Sequence, residues 1–325
     1  MRNIAVLTHS ADIDGVGCAA LIKIKYNLPS NRLFFSGYAK DDILFAEKKM
    51  RKFYGKDFVL FITDLSLNDP VIEVWRTIIK RIKAKGGKVF WFDHHPWSKM
   101  ALDRVAKECE VAIVGENEKH CATEITRMEL GLDTPFINEF TRVVHFSDFN
   151  LKPRDARSRN LIKAYALSIT SFTKARSKEG IQKILRHYAD VISGRRFTDD
   201  RILNESKRFE KLNNDRIKKM LKELYLVGKE IAVGFTTGVQ STNGCGAIIQ
   251  ATGRDIGIIV DTVAGKGSMR TIKSDISEFA KSLGGGGHPH ASGFEINTKK
   301  YPLKSKSDRE AFVKRIQTGA QKFNL

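Results

Sequence analysis

Cysteine is scarce and never paired. The four thiols, Cys18, Cys109, Cys121 and Cys245, show no C-x-x-C spacing, which argues against a cysteine zinc site and against a disulfide framework. They read as buried free thiols of a reducing compartment. No apolar run approaches the roughly 18 residues of a membrane span. The first apolar run is broken by Thr8, His9 and Ser10, unlike a signal peptide, so a cytoplasmic chain is expected. Internal repeats and low-complexity tracts are absent as well. Acid is in deficit: 37 Asp and Glu face 56 Lys and Arg, a formal charge of +19. That excess makes a polyanion the first partner to consider, nucleic acid ahead of a membrane. The competing reading is a solvated, Lys-rich surface of the kind common in heat-adapted proteins.

What is present points to a soluble α/β protein. With 325 residues, 42% of them hydrophobic, the chain has material for two cores. "NIAVLT" (3–8), "RLFFS" (32–36), "FVLFIT" (58–63), "KVFWFD" (88–93) and "VAIVG" (111–115) read as strands. They alternate with helix-like segments such as 69–84, where Val71, Val74, Trp75, Ile78, Ile79 and Ile82 keep the helical period. Continuous apolar strands separated by helices imply a Rossmann-like parallel sheet covered on both faces. Residues 116–190 read as mostly helical, and 197–227 as one amphipathic helix. Strand-like runs resume at 231–237, 255–263, 267–272 and 291–296, with helices near 244–253, 275–283 and 306–320. The expected organisation is a larger α/β domain over 1–190, a helical connector over 191–228 and a smaller α/β domain over 229–325.

Charge is uneven. Residues 151–225 carry 20 Lys and Arg against 9 Asp and Glu, a net of +11. Within them, Lys152, Arg154, Arg157 and Arg159 are candidates for phosphate contact; the alternative is a solvated helix face.

The chemistry-bearing residues stand at strand ends. "VLTHSADIDGVG" sets His9, Asp12 and Asp14 after the first strand, "LFITDLS" sets Asp64 after the third, and "VFWFDHHP" sets Asp93, His94 and His95 after the fourth. Asp148 in "VVHFSDFN" falls where a helix is expected to end. In a parallel sheet these strand ends share one edge, where ligands of such folds bind. Crowded carboxylates repel unless a cation lies between them. Mixed carboxylate and imidazole donors suit a harder divalent metal such as Mn²⁺, ahead of Mg²⁺, better than structural zinc. Their number suits two ions sharing one carboxylate, an arrangement used in phosphoryl displacement.

These motifs resemble the four metal-site motifs of the DHH phosphoesterases, a group that includes RecJ-type exonucleases, nano-RNases and cyclic-dinucleotide phosphodiesterases. The tail "GGGGHPHASG" (284–293) resembles the glycine-rich signature of the DHH-associated domain, with Arg270 in "SMRTI" at the place of its substrate-binding arginine. His9, three residues before Asp12, departs slightly from the pattern. The resemblance implies that His9 and Asp12 hold one metal, Asp14, His94 and Asp148 the other, and that Asp64 bridges them. It implies that His95 orients a phosphate oxygen, that Asp93 fixes an imidazole tautomer, and that a metal-activated hydroxide attacks phosphorus. Gly285, Gly286, Gly287, His288 and Arg270 would cradle a substrate phosphate. No role falls to His290; His120, His145 and His187 read as core or surface residues. Pairing of two copies through the catalytic domain is a further expectation from the family, with no sequence feature of its own.

The function expected is hydrolysis of single-stranded or very short RNA or DNA from an end. The charge favours this over a small-molecule phosphodiesterase or phosphatase acting on cyclic dinucleotides or 3′-phosphoadenosine 5′-phosphate. A catalytically silent nucleic-acid-binding module is the third reading, and a complete ligand set counts against it.

Overall fold

The computed structural model describes residues 3–67, 69–115, 119–175 and 177–323; residues 116–118, which open the stretch expected to be helical, lie outside them. The chain divides into two compact units, Met1–Lys207 and Arg208–Leu325.

In the first unit the elements run β1 (Ile4–His9), α1 (Ile13–Tyr26), β2 (Leu33–Ser36), α2 (Lys40–Met50), β3 (Val59–Thr63), α3 (Ile72–Lys83), β4 (Lys88–Phe92), α4 (Lys99–Arg104) and β5 (Val111–Ile113). Four helices follow, α5 (Ala122–Glu129), α6 (Pro135–Asp148), α7 (Ala156–Ala175) and α8 (Lys178–Ser193). The helix α9 (Asp200–Met220) then leads into the second unit. All five strands are parallel, in the order β2-β1-β3-β4-β5. Alternate residues of β1 enter different cores, which is why its sequence is apolar throughout. Ile4 and Val6 pack with α1, α5, α6, α7 and α8, while Ala5 and Leu7 pack with α2, α3 and α4. The helical spacing read in 69–84 is the buried face of α3, where Trp75 meets Trp91 edge to face at 4.7 Å.

This strand order has its switch point at β1 and β3, because the chain leaves β1 toward β2 on one side and returns to β3 on the other. The register fixes what lies there. Thr8 pairs with Thr63, and Thr63 with Phe92. The next residue of each strand is therefore His9, Asp64 and Asp93, side by side along one edge. The close approach of α1 to the end of β1 needs a residue without a side chain: a Cβ at Gly15 would overlap the His9 carbonyl.

The second unit contains β6 (Leu224–Val227), β7 (Ile231–Thr236), α10 (Ser241–Thr252), β8 (Ile256–Asp261), β9 (Lys266–Thr271), α11 (Ser277–Ser282), β10 (Gly285–His288), β11 (Ala291–Glu295) and α12 (Lys306–Gln321). Its sheet runs β10-β11-β9-β8-β7-β6, with β7 and β8 parallel and the other pairs antiparallel. On one face Phe279 of α11 and Phe312 and Ile316 of α12 pack on Ile258, Val260, Met269 and Phe294. On the other, Cys245 and Ile248 of α10 join Ile217 and Met220 of α9 over Ala232 and Ile259.

One sequence expectation is corrected here. The amphipathic helix over 197–227 stops at Met220, and Leu224–Val227 forms a strand because it pairs antiparallel with β7. The glycine-rich segment, Gly285–His288, is the edge strand of the sheet, drawn so close to β11 that a Cβ at Gly285 would overlap the Gly293 carbonyl. Among the described residues no helix is long and apolar enough to cross a membrane.

The Gly15 contact predicts that Gly15→Ala lowers stability by about 2 kcal/mol in denaturant unfolding. Gly246→Ala, where a Cβ meets nothing within 4 Å, should cost none.

Candidate metal centre

At the switch point, three loops and a helix end deliver acidic and imidazole groups. Asp12 is the N-cap of α1: its Oδ1 accepts the backbone N–H of Asp14 (3.1 Å) and of Gly15 (3.2 Å), and its Oδ2 lies 3.1 Å from His9 Nδ1. Asp14, in the first turn of α1, is 1% exposed. Its carboxylate is held by the N-terminus of α5, accepting the N–H of Ala122 at 2.9 Å and of Thr123 at 2.7 Å. Asp64 follows β3 with a left-handed φ of 51°, a backbone conformation that aspartate tolerates better than most side chains and that clusters at functional sites.

Three donor groups result, each with its candidate ligand atoms within 4.8 Å of one another: His9, Asp12 and Asp64; Asp14, His94 and Asp148; and Asp64, His94 and His95. Asp64 belongs to two of them, with Oδ2 3.6 Å from His9 Nδ1 and Oδ1 3.9 Å from His94 Nε2. His94 Nε2 is also 3.8 Å from Asp14 Oδ2 and 3.5 Å from Asp148 Oδ2. The geometry thus brings together all six residues proposed from sequence as ligands. Asp93 stands behind them. Its Oδ1 is 2.8 Å from His95 Nδ1, and its Oδ2 accepts the indole N–H of Trp97 at 2.8 Å.

The electrostatics of this cluster fit a cation. Burial raises the Asp148 carboxyl to about 8, with Asp14 and Asp12 adding to the effect. Burial raises Asp14 to about 6, against the hydrogen bonds from Thr123 and Ala122. Asp64 is pushed well above the usual carboxylate range by burial and by four neighbouring aspartates. Asp12 goes the other way: burial would raise it, but the charge and hydrogen bond of His9 hold it well below the usual range. His9 is raised despite its burial, chiefly by Asp12. Asp64 Oδ2, buried, receives no hydrogen bond among the described residues. A buried oxygen without a donor, among carboxylates that repel one another, matches the donor chemistry of Mn²⁺ or Mg²⁺.

Sequence reasoning missed three contributors. Tyr38, just beyond β2, stacks its ring 4.5 Å from that of His9 and edge-on to His95 at 6.3 Å. Its signal was its place beyond a strand end on the same edge. Trp97, four residues past Asp93, fixes that carboxylate. The Ala122 and Thr123 amides act through the backbone and leave no signature in side-chain identity.

The remaining candidates lie elsewhere. Lys152 and Arg154 are exposed beyond Asp148. Arg157 pairs with Glu139 at 2.8 Å, and Arg159 donates to the carbonyls of Pro153 (2.9 Å) and Arg154. In the second unit, Arg270, Ala291 and His288 stand opposite one another across β9, β11 and β10, which places their side chains on one face. Gly293 and Gly286 form the next row on that face, opposite Ser268. Arg270 Nη1 donates to the Met269 carbonyl at 2.9 Å, and the His288 carbonyl accepts the Ser292 hydroxyl at 2.8 Å. His120 and His145 face Glu124, at 3.8 and 2.8 Å, and His187 faces Asp199 at 2.8 Å. None of the three belongs to a ligand group.

No family model matches the sequence, and no curated relative matches it. Solved structures do. RecJ from Thermus thermophilus, in complex with Mn²⁺, aligns with a TM-score of 0.54 at 18% identity over 96% of this chain and 52% of that one. The pGpG-specific phosphodiesterase PggH from Vibrio cholerae gives 0.52 at 14% identity, over 97% and 99%. An exopolyphosphatase-related protein from Bacteroides fragilis gives 0.50 at 15%, over 97% and 91%. The chain spans about half the length of RecJ. What it shares with all three is the fold, that of the DHH-family phosphoesterases.

The raised carboxyls set a pH dependence. In the metal-free protein Asp14 and Asp148 hold protons that the unfolded chain releases near pH 4. The stability these two carboxyls contribute is therefore full below that pH and falls as pH rises toward about 8, the value to which Asp148 is raised. Added Mn²⁺ should displace those protons and reverse the loss. Thermal melts across this range with and without Mn²⁺, and titration calorimetry in buffers of different ionisation enthalpy, check the sign; a pH-independent melt with no proton release contradicts it.

Proposed function

We propose that the chain is a divalent-metal phosphodiesterase that hydrolyses short or single-stranded nucleic acid from an end. The observation that carries the reading is the set of three donor groups at the switch point of the sheet, linked through Asp64 and His94. His9, Asp12 and Asp64 would hold one ion, Asp14, His94 and Asp148 the other. Two such ions, when bound, supply Lewis acidity to a phosphate ester and acidify water.

The chain's own groups do the rest. The α5 amides fix the Asp14 carboxyl in place and offset part of the cost of burying its charge, and Asp12 arranges His9 by its hydrogen bond. Asp93 accepts a hydrogen bond from His95 Nδ1–H, leaving Nε2 for a phosphate oxygen. Burial opposes charge on His95, yet the bond to Asp93 prevails and raises its pKa, so it brings positive charge to that oxygen. Arg270 and His288, on one row of the second sheet, are assigned to a substrate phosphate, with Gly286 and Gly293 leaving room beside them.

Charge supports nucleic acid as substrate, since the chain carries +19. Short substrates are supported by the likeness to a pGpG-specific enzyme over 99% of its length, against half of RecJ.

Asp64→Ala should abolish Mn²⁺-dependent hydrolysis of end-labelled oligonucleotides, a fall of at least about 10³-fold, with an unchanged circular dichroism spectrum. Retained activity removes the shared-ligand role. Graded RNA and DNA lengths run beside a cyclic dinucleotide identify the substrate; cleavage of the cyclic compound alone overturns the nucleic-acid reading. Arg270→Ala and His288→Ala should each raise KM for oligomers by about tenfold while Mn²⁺ affinity holds. Unchanged kinetics discards the phosphate assignment.

A further inference from the structure

On the helical side of the first unit, away from the carboxylate cluster, lies an open groove of about 690 Å³. Arg157, Asn160, Arg195, Arg196, Phe197 and Thr198 line it. Three of these six are arginines, and their states differ. The Arg157 guanidinium is fixed, bonded to Glu139 at 2.8 Å and lying 4.7 Å from the centre of the Phe197 ring. Arg195 and Arg196 are exposed and have no ion-pair partner among the described residues. Asp199, three residues past Arg196, is taken by His187 at 2.8 Å and by the Ile202 N–H at 3.0 Å. The backbone is unusual as well. Arg195 adopts φ 58° at the end of α8, the left-handed position that glycine commonly fills, while Gly194 beside it has an ordinary φ of −75°. An arginine thus stands where glycine would fit with less strain, at the rim of a basic groove.

The helix α6 links an arginine of the groove to the candidate metal centre. Glu139, which holds Arg157, precedes Asp148 by nine residues of that helix, or roughly 13 Å along its axis. Arg142 is exposed between them. A strand of several nucleotides is needed to cover that length.

We propose that this groove binds backbone phosphates of a nucleic-acid strand, several nucleotides from the end held at the carboxylate cluster. The choice of ligand rests on the nucleic-acid reading above; the groove itself rests on its own arginines. Asn160 and Thr198 add neutral donors, as phosphate contacts commonly use.

The test is fluorescence anisotropy on the full chain in EDTA, which suspends metal-dependent hydrolysis, using a labelled dinucleotide and a strand of about sixteen nucleotides over a range of salt. The double variant Arg195→Ala/Arg196→Ala should bind the long strand about tenfold more weakly. Its slope of log K against log salt should shrink by about 1.4, two charges at about 0.7 each. Dinucleotide binding, and dinucleotide hydrolysis once Mn²⁺ is restored, should not change. Arg195→Lys/Arg196→Lys, which keeps the charge, should retain the slope. Equal affinity and slope in wild type and the alanine variant would overturn the proposal, as would an equal loss on the dinucleotide. Displacement of the long strand by adenosine monophosphate, lost in the alanine variant, would assign the groove to a free nucleotide and overturn it too. If the wild type hydrolyses no nucleic acid yet binds the long strand through Arg195 and Arg196, the groove stands and the proposed function falls.

Discussion

Repulsion among buried carboxylates is the constraint around which the first unit is organised. Asp14, Asp64 and Asp93, all buried, come together with the more open Asp12 and Asp148 and with three imidazoles. A fold tolerates such a cluster only if something holds the groups in place and something else neutralises them. The holding is visible: an N-cap for Asp12, helix amides for Asp14, an indole and an imidazole for Asp93. Cations of the kind the donor set fits would supply the neutralising charge.

The parallel sheet makes the convergence unavoidable. Once β1, β3 and β4 pair in register, the residues that follow Thr8, Thr63 and Phe92 have to meet at one edge. Doubly wound order then opens a crevice there, because the connections diverge to opposite faces. Asp148 arrives by a different route, at the last turn of α6, so the cluster ties the helical layer to the sheet edge. The donor groups join segments about 140 residues apart in the chain.

Much of this could be read before any coordinates. Continuous apolar runs between helical segments marked β1 to β5 to within a residue or two, because strands buried on both faces leave no other pattern. Polar residues at the ends of those runs stood out for the same reason. What escaped reading was whatever side-chain identity does not encode. The amides that hold Asp14 belong to Ala122 and Thr123, ordinary residues at an ordinary helix start. Tyr38 matters because of where β2 ends, and an isolated tyrosine carries no motif. Glycines were the other blind spot: no strand was read over Gly285–Gly287 because glycine usually breaks strands, yet here the absence of side chains lets an edge strand close on β11. Leu224–Val227 looked like the tail of a helix since its apolar residues continue the α9 pattern, and only pairing with β7 decides against it.

The grip of α5 on Asp14 has a consequence for how this protein can wear out over evolution. The helix is eight residues long and owes its position to Ile125, packed in the core beneath it. Neutral drift among those apolar neighbours would tilt the two amides off the carboxylate while every motif residue stayed intact. A descendant of this chain can therefore keep the whole signature and still have lost the means to use it.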